Sequence, residues 1–290
     1  MSDLKISYFP ELENVKKAAA TLKGVAALTP LLPSLNYSRK FDAKILLKRE
    51  DLQQVRSYKI RGAFNKISSL SQNDRDKGIV CASAGNHAQG VAFACAKLKI
   101  KGTIFMPAPT PGQKTEQVKM FGEDYVTIVL TGDTFDDAYK AAKTECDALG
   151  KIFVHPFDDE KIIEGQATVG LEIIEQAEEE IDYVFVPVGG GGLASGLSTI
   201  FHLLSPKTKI IGVEPEGAPS MSTSIFNKEN TTLRLIEKFV DGAAVQRVGD
   251  RNFAICKEYL HKMVTVPEGK VCQTILDLYN KDAIVVEPAG

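Results

Sequence analysis

Short apolar segments alternate with helical patterns through most of this 290-residue chain, and this alternation limits the possible folds more than any other feature. The apolar segments are continuous runs rich in Val and Ile, which is typical of strands buried on both faces of a parallel sheet. Strands are predicted at 43–48, 79–82, 101–106, 125–130, 152–154, 183–188 and 209–213. The predicted fold class is therefore α/β with parallel sheets.

Helical patterns fill the intervals between these strands. Helices are predicted over 11–22, 57–70, 87–98, 113–121, 134–149 and 160–179, and from residue 193 onward. Residues 283–290 predict a strand and a turn, after which a further helix is expected. The C-terminal part of the last domain is therefore expected to be truncated in this chain.

Charge and cysteine usage restrict the possible partners and the compartment. The net charge is −2, without the excess of Lys and Arg that a nucleic-acid partner normally requires. The five cysteines form no C-x-x-C pair, so neither a zinc site nor a disulfide framework is predicted, and a reducing cytoplasm fits best. The start, Met1–Lys5, lacks the apolar run of a signal peptide, and no apolar segment is long enough to span a membrane.

A run of four glycines follows the strand predicted at 183–188 and precedes a helix. Without Cβ atoms, the backbone of Gly189–Gly192 can turn tightly and direct several N–H groups toward one point. The positive end of the following helix favours an anion there, and phosphate is the usual ligand. The pattern is neither Gly-x-Gly-x-x-Gly nor a P-loop, so phosphate binding is favoured over dinucleotide binding, and a purely structural turn is the alternative.

A second strand–loop–helix junction lies at Ser83–His87, where Asn86 and exposed N–H groups could hold a carboxylate or a phenolate-like oxygen. His87 is a candidate base, although a histidine in a first helical turn more often caps or packs. Lys59 begins another predicted helix. The positive end of a helix favours the neutral form of a nearby amine, which Schiff-base chemistry needs. An exposed surface lysine is the alternative interpretation, and it describes Lys66 of the same helix.

Together, these segments resemble the second structural class of pyridoxal-phosphate (PLP) enzymes, within it the serine/threonine dehydratase family. The resemblance covers nearly the whole chain. The motifs that carry it are Lys48–Gln53, Ser57–Ala63, Ala82–Ala92, Pro187–Leu193 and Val286–Pro288.

This resemblance implies two open doubly wound sheet domains (PLP fold type II), with a smaller domain at 53–152 inserted in a larger one formed by 1–52 and 153–290, and the cofactor between them. Family members hold the pyridine nitrogen of the cofactor through a segment that follows a motif like Glu287-Pro288. The chain ends at Gly290, before such a segment.

The resemblance also implies roles for single residues. Lys59 would form the Schiff base with pyridoxal 5′-phosphate, Tyr58 would lie beside its ring, and Asn86 would bind its 3′-oxygen. The cofactor's phosphate would be bound by Gly189, Gly190, Gly191, Gly192 and Leu193. The substrate would be bound by Ser83, Ala84, Gly85, Asn86 and His87.

The reaction implied is the PLP-dependent conversion of L-threonine, with L-serine as a second candidate substrate, to a 2-oxo acid and ammonia, as in isoleucine biosynthesis. Lys59 would remove the Cα proton before the β-hydroxyl leaves. The resemblance further implies a cytoplasmic homodimer or homotetramer with no nucleic-acid or membrane partner.

Serine racemases are similar to this chain but carry a serine where Ala84 stands, and Ala84 cannot move a proton. Their metal site would correspond to Glu214, Ala218 and Ser220, and the serine departs from the expected acidic ligand, so no metal is predicted. Three alternatives stay open: a serine dehydratase or racemase, a PLP-dependent β-replacement enzyme, and a non-catalytic phosphate- or nucleotide-binding module.

Overall fold

The structure is a computed structural model that describes residues 8–290. The start at Met1–Lys5, on which the prediction of no signal peptide rests, lies outside the described residues. The helices are α1 Leu12–Leu22, α2 Leu35–Phe41, α3 Lys59–Ser68, α4 Gln72–Lys77, α5 Asn86–Leu98, α6 Gly112–Gly122, α7 Phe135–Leu149, α8 Glu160–Gln176, α9 Gly192–Leu204, α10 Ser220–Asn227, α11 Asp250–Tyr259 and α12 Glu268–Asp282. The strands are β1 Leu31–Pro33, β2 Leu46–Lys48, β3 Ile79–Ala82, β4 Gly102–Met106, β5 Val126–Leu130, β6 Ile152–Phe153, β7 Tyr183–Pro187, β8 Lys209–Pro215 and β9 Lys262–Val266.

The chain divides into two compact units. The first, here called the lysine unit because it contains Lys59, comprises Glu13–Ala27 and Gln53–Gln166. The second, here called the glycine unit because it contains Gly189–Gly192, includes Leu28–Leu52 and Ala167–Gly290. The α/β class with parallel sheets is confirmed in both units.

The lysine unit is built around a parallel sheet of four strands in the order β5-β4-β3-β6. Successive residues of a strand point to opposite faces, and β3 uses both faces for packing. Ile79 and Cys81 join an apolar cluster with α5, whereas Val80 and Ala82 join another with α7. All four residues are fully buried, which explains why the sequence of β3 is continuously apolar.

The glycine unit contains a parallel sheet in the order β7-β8-β9 and a separate antiparallel pair, β1-β2. In the described chain β7 pairs only with β8, so it forms an edge of its sheet. Tyr183 and Phe185, on one face of β7, are 50% and 65% exposed, whereas Val186 on the other face is buried. The prediction that this strand is buried on both faces is therefore wrong for the face that carries Tyr183, Phe185 and Pro187.

Several boundaries and elements differ from those predicted. Residues 283–290 form no paired strand: α12 ends at Asp282, and Ala283 adopts a left-handed conformation with a φ of 53°. The helix predicted over 160–179 ends at Gln176, three residues early. No helix within residues 8–290 combines the length and apolar character needed to cross a membrane.

Candidate functional site

Lys59 is the first residue of α3, and its side chain is half-buried. Its Nζ donates a hydrogen bond to the carbonyl oxygen of Pro156 at 2.9 Å and lies 5.5 Å from the centre of the Tyr58 ring. A lysine on the surface would hold its amine in bulk water. The structure instead directs this amine toward the chain that follows β6.

The strand order explains why the amine lies there. From β3 the sheet continues through β4 and β5 on one side, and β6 is added on the other side. The order of the strands therefore reverses between β3 and β6, and the loops that follow such a pair diverge to leave a crevice, which is the usual ligand site of an open α/β sheet. The loop after β3 is Ser83–Gly85, and the segment after β6 contains Pro156.

The loop after β3 is held by its own short side chain. The N–H of Ser83 donates to Phe105 O at 3.1 Å, and Ser83 Oγ accepts the N–H of Gly85 at 3.2 Å. Asn86 then begins α5, so its N–H belongs to the first turn and has no acceptor within the helix. Because Ser83–Asn86 are only half-buried, they are the part of this junction that a ligand can contact.

Gly90 sets the distance between this loop and Lys59. A Cβ at position 90 would lie 2.9 Å from the carbonyl oxygen of Lys59 and 3.3 Å from Ala63 Cβ, so α5 and α3 touch backbone to backbone. Asn86 is one helical turn before Gly90. The first turns of the two helices, which carry Lys59 and Asn86, therefore lie side by side.

His87 is buried beneath the same junction, with 3% of its surface exposed. Its Nε2 donates to Val154 O at 3.0 Å. Burial, with a further contribution from the nearby charge of Lys59, lowers the pKa of His87 to about 3. The imidazole is therefore neutral, and the backbone N–H of His87 belongs to the first turn of α5.

The glycine loop, Gly189–Gly192, joins β7 to α9 in the glycine unit. Gly191 has a φ of +92°, and a Cβ there would lie 2.9 Å from both Asn252 Cβ and Met221 Cε. A Cβ on Gly189 would lie 3.0 Å from Ala243 Cα. Glycine is therefore required by conformation at one position and by space at both.

This loop fits a phosphate group. Since α9 begins at Gly192, the N–H groups of its first turn have no acceptor inside the helix, and they lie at the positive end of its dipole. An anion bound at such an end accepts several of these N–H groups at once. The donor set is one of neutral backbone groups, which suits a phosphate ester.

The structure thus brings Tyr58, Lys59 and Ser83–His87 together within the lysine unit, and it places Gly189–Leu193 in the glycine unit. Sequence reasoning missed Pro156, which accepts from Lys59, and the residues that pack under the glycine loop. No local sequence pattern marks Asn252, which the structure buries in the first turn of α11 beneath this loop.

Two of the residues that correspond, by resemblance, to the metal site of serine racemases are hydrogen-bonded to other groups of the chain. The carboxylate of Glu214 accepts the N–H groups of Met221 and Ser222 and the Ser222 hydroxyl, and Ser220 donates to Val245 O. Burial raises the pKa of Glu214 in spite of these donors. Within residues 8–290, no group of three or more His, Cys, Asp or Glu is placed to hold a metal.

In the motif at Lys48–Gln53, Lys48 and Arg49 make ion pairs and hydrogen bonds within the glycine unit. Lys48 Nζ lies 2.6 Å from both Glu172 Oε2 and Thr29 O, and its side chain is 8% exposed. The neighbouring Arg49 pairs with Asp51 through two hydrogen bonds. The contacts of Lys48 join β2 to α8 and to the segment before β1 within the glycine unit, and the Arg49–Asp51 pair lies in the turn after β2.

Comparison with known proteins identifies the family of this chain. The family described as pyridoxal-phosphate dependent enzyme matches residues 23–290. The chain is 53% identical over 280 residues to a protein of Halalkalibacterium halodurans named L-threonine dehydratase biosynthetic IlvA, covering 97% of this chain and 68% of that protein.

Solved structures agree with this result. The processed form of threonine deaminase isoform 2 from Solanum lycopersicum superposes with a TM-score of 0.91 at 41% identity, covering 96% of this chain and 76% of that one. Maize serine racemase superposes with a TM-score of 0.92 at 29% identity, covering 97% and 84%. The family match spans the lysine, the loop after β3 and the glycine loop described above, and the chain therefore belongs to the family of pyridoxal-phosphate dependent enzymes.

Proposed function

We propose that this protein is a PLP-dependent threonine dehydratase of the biosynthetic type, which converts L-threonine to 2-oxobutanoate and ammonia. The observation that carries the proposal is the position of the Lys59 amine at the crevice between β3 and β6, beside the loop Ser83–Asn86. The names of the relatives support the choice of reaction within the family.

Three groups of this chain are proposed to hold the cofactor. Lys59 Nζ is proposed to hold its aldehyde carbon, with the Tyr58 ring alongside, and Asn86 to donate to its 3′-oxygen. The N–H groups of Gly189–Leu193 are proposed to hold its phosphate. When bound, the cofactor supplies an electron sink that stabilises negative charge at the substrate's Cα.

The remaining chemistry is proton movement by Lys59. Its amine, once exchanged for that of the substrate, is proposed to take the proton from Cα, and loss of the β-hydroxyl follows. The carbonyl of Pro156, 2.9 Å from Nζ, fixes the orientation of the amine. The substrate carboxylate is proposed to accept N–H groups from the loop Ser83–His87, including the backbone N–H of His87.

Ala84 bears on the outcome of the reaction. It is half-buried and packs against the main apolar cluster of the lysine unit, and a methyl group there can neither accept nor donate a proton. Lys59 is therefore proposed as the base at Cα, with no side-chain base at position 84. This favours elimination over racemisation.

We further propose that the protein is cytoplasmic and forms a homodimer or homotetramer, with L-serine as a secondary substrate. All five cysteines are free thiols, and four of them are buried, which suits a reducing compartment. Light scattering on the purified protein checks the oligomeric state.

The reaction is tested by supplying purified protein and PLP with L-threonine, L-serine, or O-acetylserine plus sulfide, and measuring 2-oxo acid. The proposal expects 2-oxobutanoate from L-threonine without an added nucleophile. Product that requires sulfide would instead identify a β-replacement enzyme. Lys59→Arg should abolish the activity. Lys66→Arg, a substitution in the same helix as Lys59, can keep the ion pair of residue 66 with Asp159 and should retain the activity.

A further inference from the structure

One buried side chain from α11 packs against the glycine loop and bonds to it. Asn252, in the first turn of α11, is fully buried, and its Nδ2 donates to the carbonyl oxygen of Gly190 at 2.8 Å. The N–H of Gly249 donates to the same oxygen at 3.1 Å. The Gly190 carbonyl is thus held by two donors at the start of α11. One of them, Asn252, lies 62 positions further along the chain than Gly190.

Holding this carbonyl also orients an N–H group. In a trans peptide the C=O and the following N–H point in opposite directions. With Gly190 O directed toward Asn252, the N–H of Gly191 points away from α11. Gly191 is the residue with a φ of +92°, so the peptide before it can rotate more freely than one before an ordinary residue.

The contacts around Asn252 hold its backbone against α9 and place its side chain beside the loop. Ser195 Oγ of α9 donates to Asn252 O at 3.4 Å, and Ser195 also contacts Cys256 of α11 at 3.5 Å. A Cβ on Gly191 would lie 2.9 Å from Asn252 Cβ, so the side chain lies directly beneath the loop. The backbone that carries Asn252 is therefore held against α9, the helix that the loop precedes.

We propose that Asn252 is a positioning residue that aims the Gly191 N–H, by holding the Gly190 carbonyl, toward the phosphate group of the cofactor. The inference rests on the proposed role of Gly189–Leu193 as the phosphate loop. Asn252 itself touches neither cofactor nor substrate. Its loss should weaken the hold on the phosphate and leave the binding of the rest of the cofactor unchanged.

The test compares PLP with pyridoxal, which has the aldehyde and the ring but no phosphate. Dissociation constants of both are measured by equilibrium dialysis on cofactor-free protein, for the wild type, Asn252→Ala and Asn252→Leu. The leucine keeps most of the volume under Gly191 but has no donor. Both variants should raise the Kd for PLP about tenfold or more and change that for pyridoxal less than about threefold.

Asn230→Ala is the matched control. Its amide donates to Val248 O and Asp250 Oδ1, next to the same segment, but makes no bond to the glycine loop. This variant should keep the wild-type ratio of the two constants.

Three outcomes would overturn the role of Asn252. The first is an unchanged ratio in both variants, and the second is an equal loss of PLP and pyridoxal binding. The third is loss of the fold in both variants, since Asn252 would then act on the unit rather than on the loop. If the wild type binds PLP no more tightly than pyridoxal, the phosphate loop and the proposed function fail instead.

Discussion

His87 illustrates how burial determines the chemistry of a single residue. Its sequence position suggested a base, but its pKa of about 3 lies far below its ordinary value of 6.5. Between these two values the unfolded chain binds a proton that the folded chain does not. The free energy of unfolding therefore falls as the pH decreases through this window, and His87 has no such effect above it.

Replacement of His87 tests this linkage. Between pH 7 and pH 5, wild-type His87 should lower the free energy of unfolding by about 2 kcal/mol. His87→Gln should be less stable at pH 7, because the bond to Val154 O is disturbed, but should lose correspondingly less stability on acidification. Urea unfolding at the two pH values measures both quantities. Equal losses in wild type and variant would mean that His87 is not buried in its neutral form.

Ala84 is the second residue whose role can be tested alone. Ala84→Ser places a hydroxyl on the loop where serine racemases, by the resemblance described above, carry one. We expect formation of D-serine from L-serine to rise at least about tenfold, because the hydroxyl can carry a proton at Cα. Chiral chromatography of the reaction measures the product. Ala84→Gly, which adds no hydroxyl, is the control, and an equal rise in it would contradict the explanation.

At the scale of elements, helix α3 carries Lys59 and is fixed by close contacts between its backbone and α8. A Cβ on Gly165 of α8 would lie 2.6 Å from Gly62 Cα and 2.7 Å from Arg61 O. Gln166 Oε1 also accepts the N–H of Gly62 at 3.2 Å. The two helices therefore touch along their backbones, next to the turn that begins with Lys59.

Gly165→Ala should push α3 away from α8. We expect a loss of about 1–3 kcal/mol in the free energy of unfolding, as for overpacked cores, together with weaker PLP binding because Lys59 moves with its helix. Urea unfolding and PLP titration measure these effects. Gly269→Ala, in the first turn of α12, is the control, since its Cβ would meet nothing within 4 Å. A Gly165→Ala protein as stable as this control would show that the helices are not in contact.

The elements that could be predicted from the sequence are those with long periodic patterns or continuous apolar runs, such as α5 and β3. The helices α11 and α12, with 10 and 15 residues, were not predicted in spite of their length. The helices α2, α4 and α10 were missed because they have 7, 6 and 8 residues, too few for a clear apolar period. Ser34 and Ser71 cap α2 and α4 and were the signals available.

The residues of the candidate site also differ in how far the sequence predicts them. Lys59 and the glycine loop could be predicted because consecutive residues determine their chemistry and conformation. Asn252 could not, because its bond to Gly190 spans 62 positions and depends on how α11 packs against α9.

For the whole molecule, the proposed cofactor-binding residues are distributed over both units. The domain boundaries predicted at 52/53 and 152/153 stay a prediction. The lysine unit includes Glu13–Ala27 in addition and extends to Gln166. Cofactor binding should therefore be measured on the entire chain.

Because PLP binds the folded state, it should stabilise the whole molecule. At a free concentration of 100 times its Kd, the free energy of unfolding should rise by about 2.7 kcal/mol. Urea unfolding with and without PLP measures this difference. Pyridoxal at the same concentration should stabilise less, since it lacks the phosphate that Gly189–Leu193 is proposed to bind. No shift with saturating PLP would exclude a specific cofactor site.

Lys59 is proposed to be the residue that holds the cofactor. Reduction of the PLP-loaded protein with borohydride, followed by proteolysis and mass spectrometry, identifies that residue. We expect a yellow protein whose pyridoxyl label is found on the peptide containing Lys59 and is lost in Lys59→Ala. A label on any other lysine, or a colourless protein that binds phosphate normally without Lys59, would contradict it.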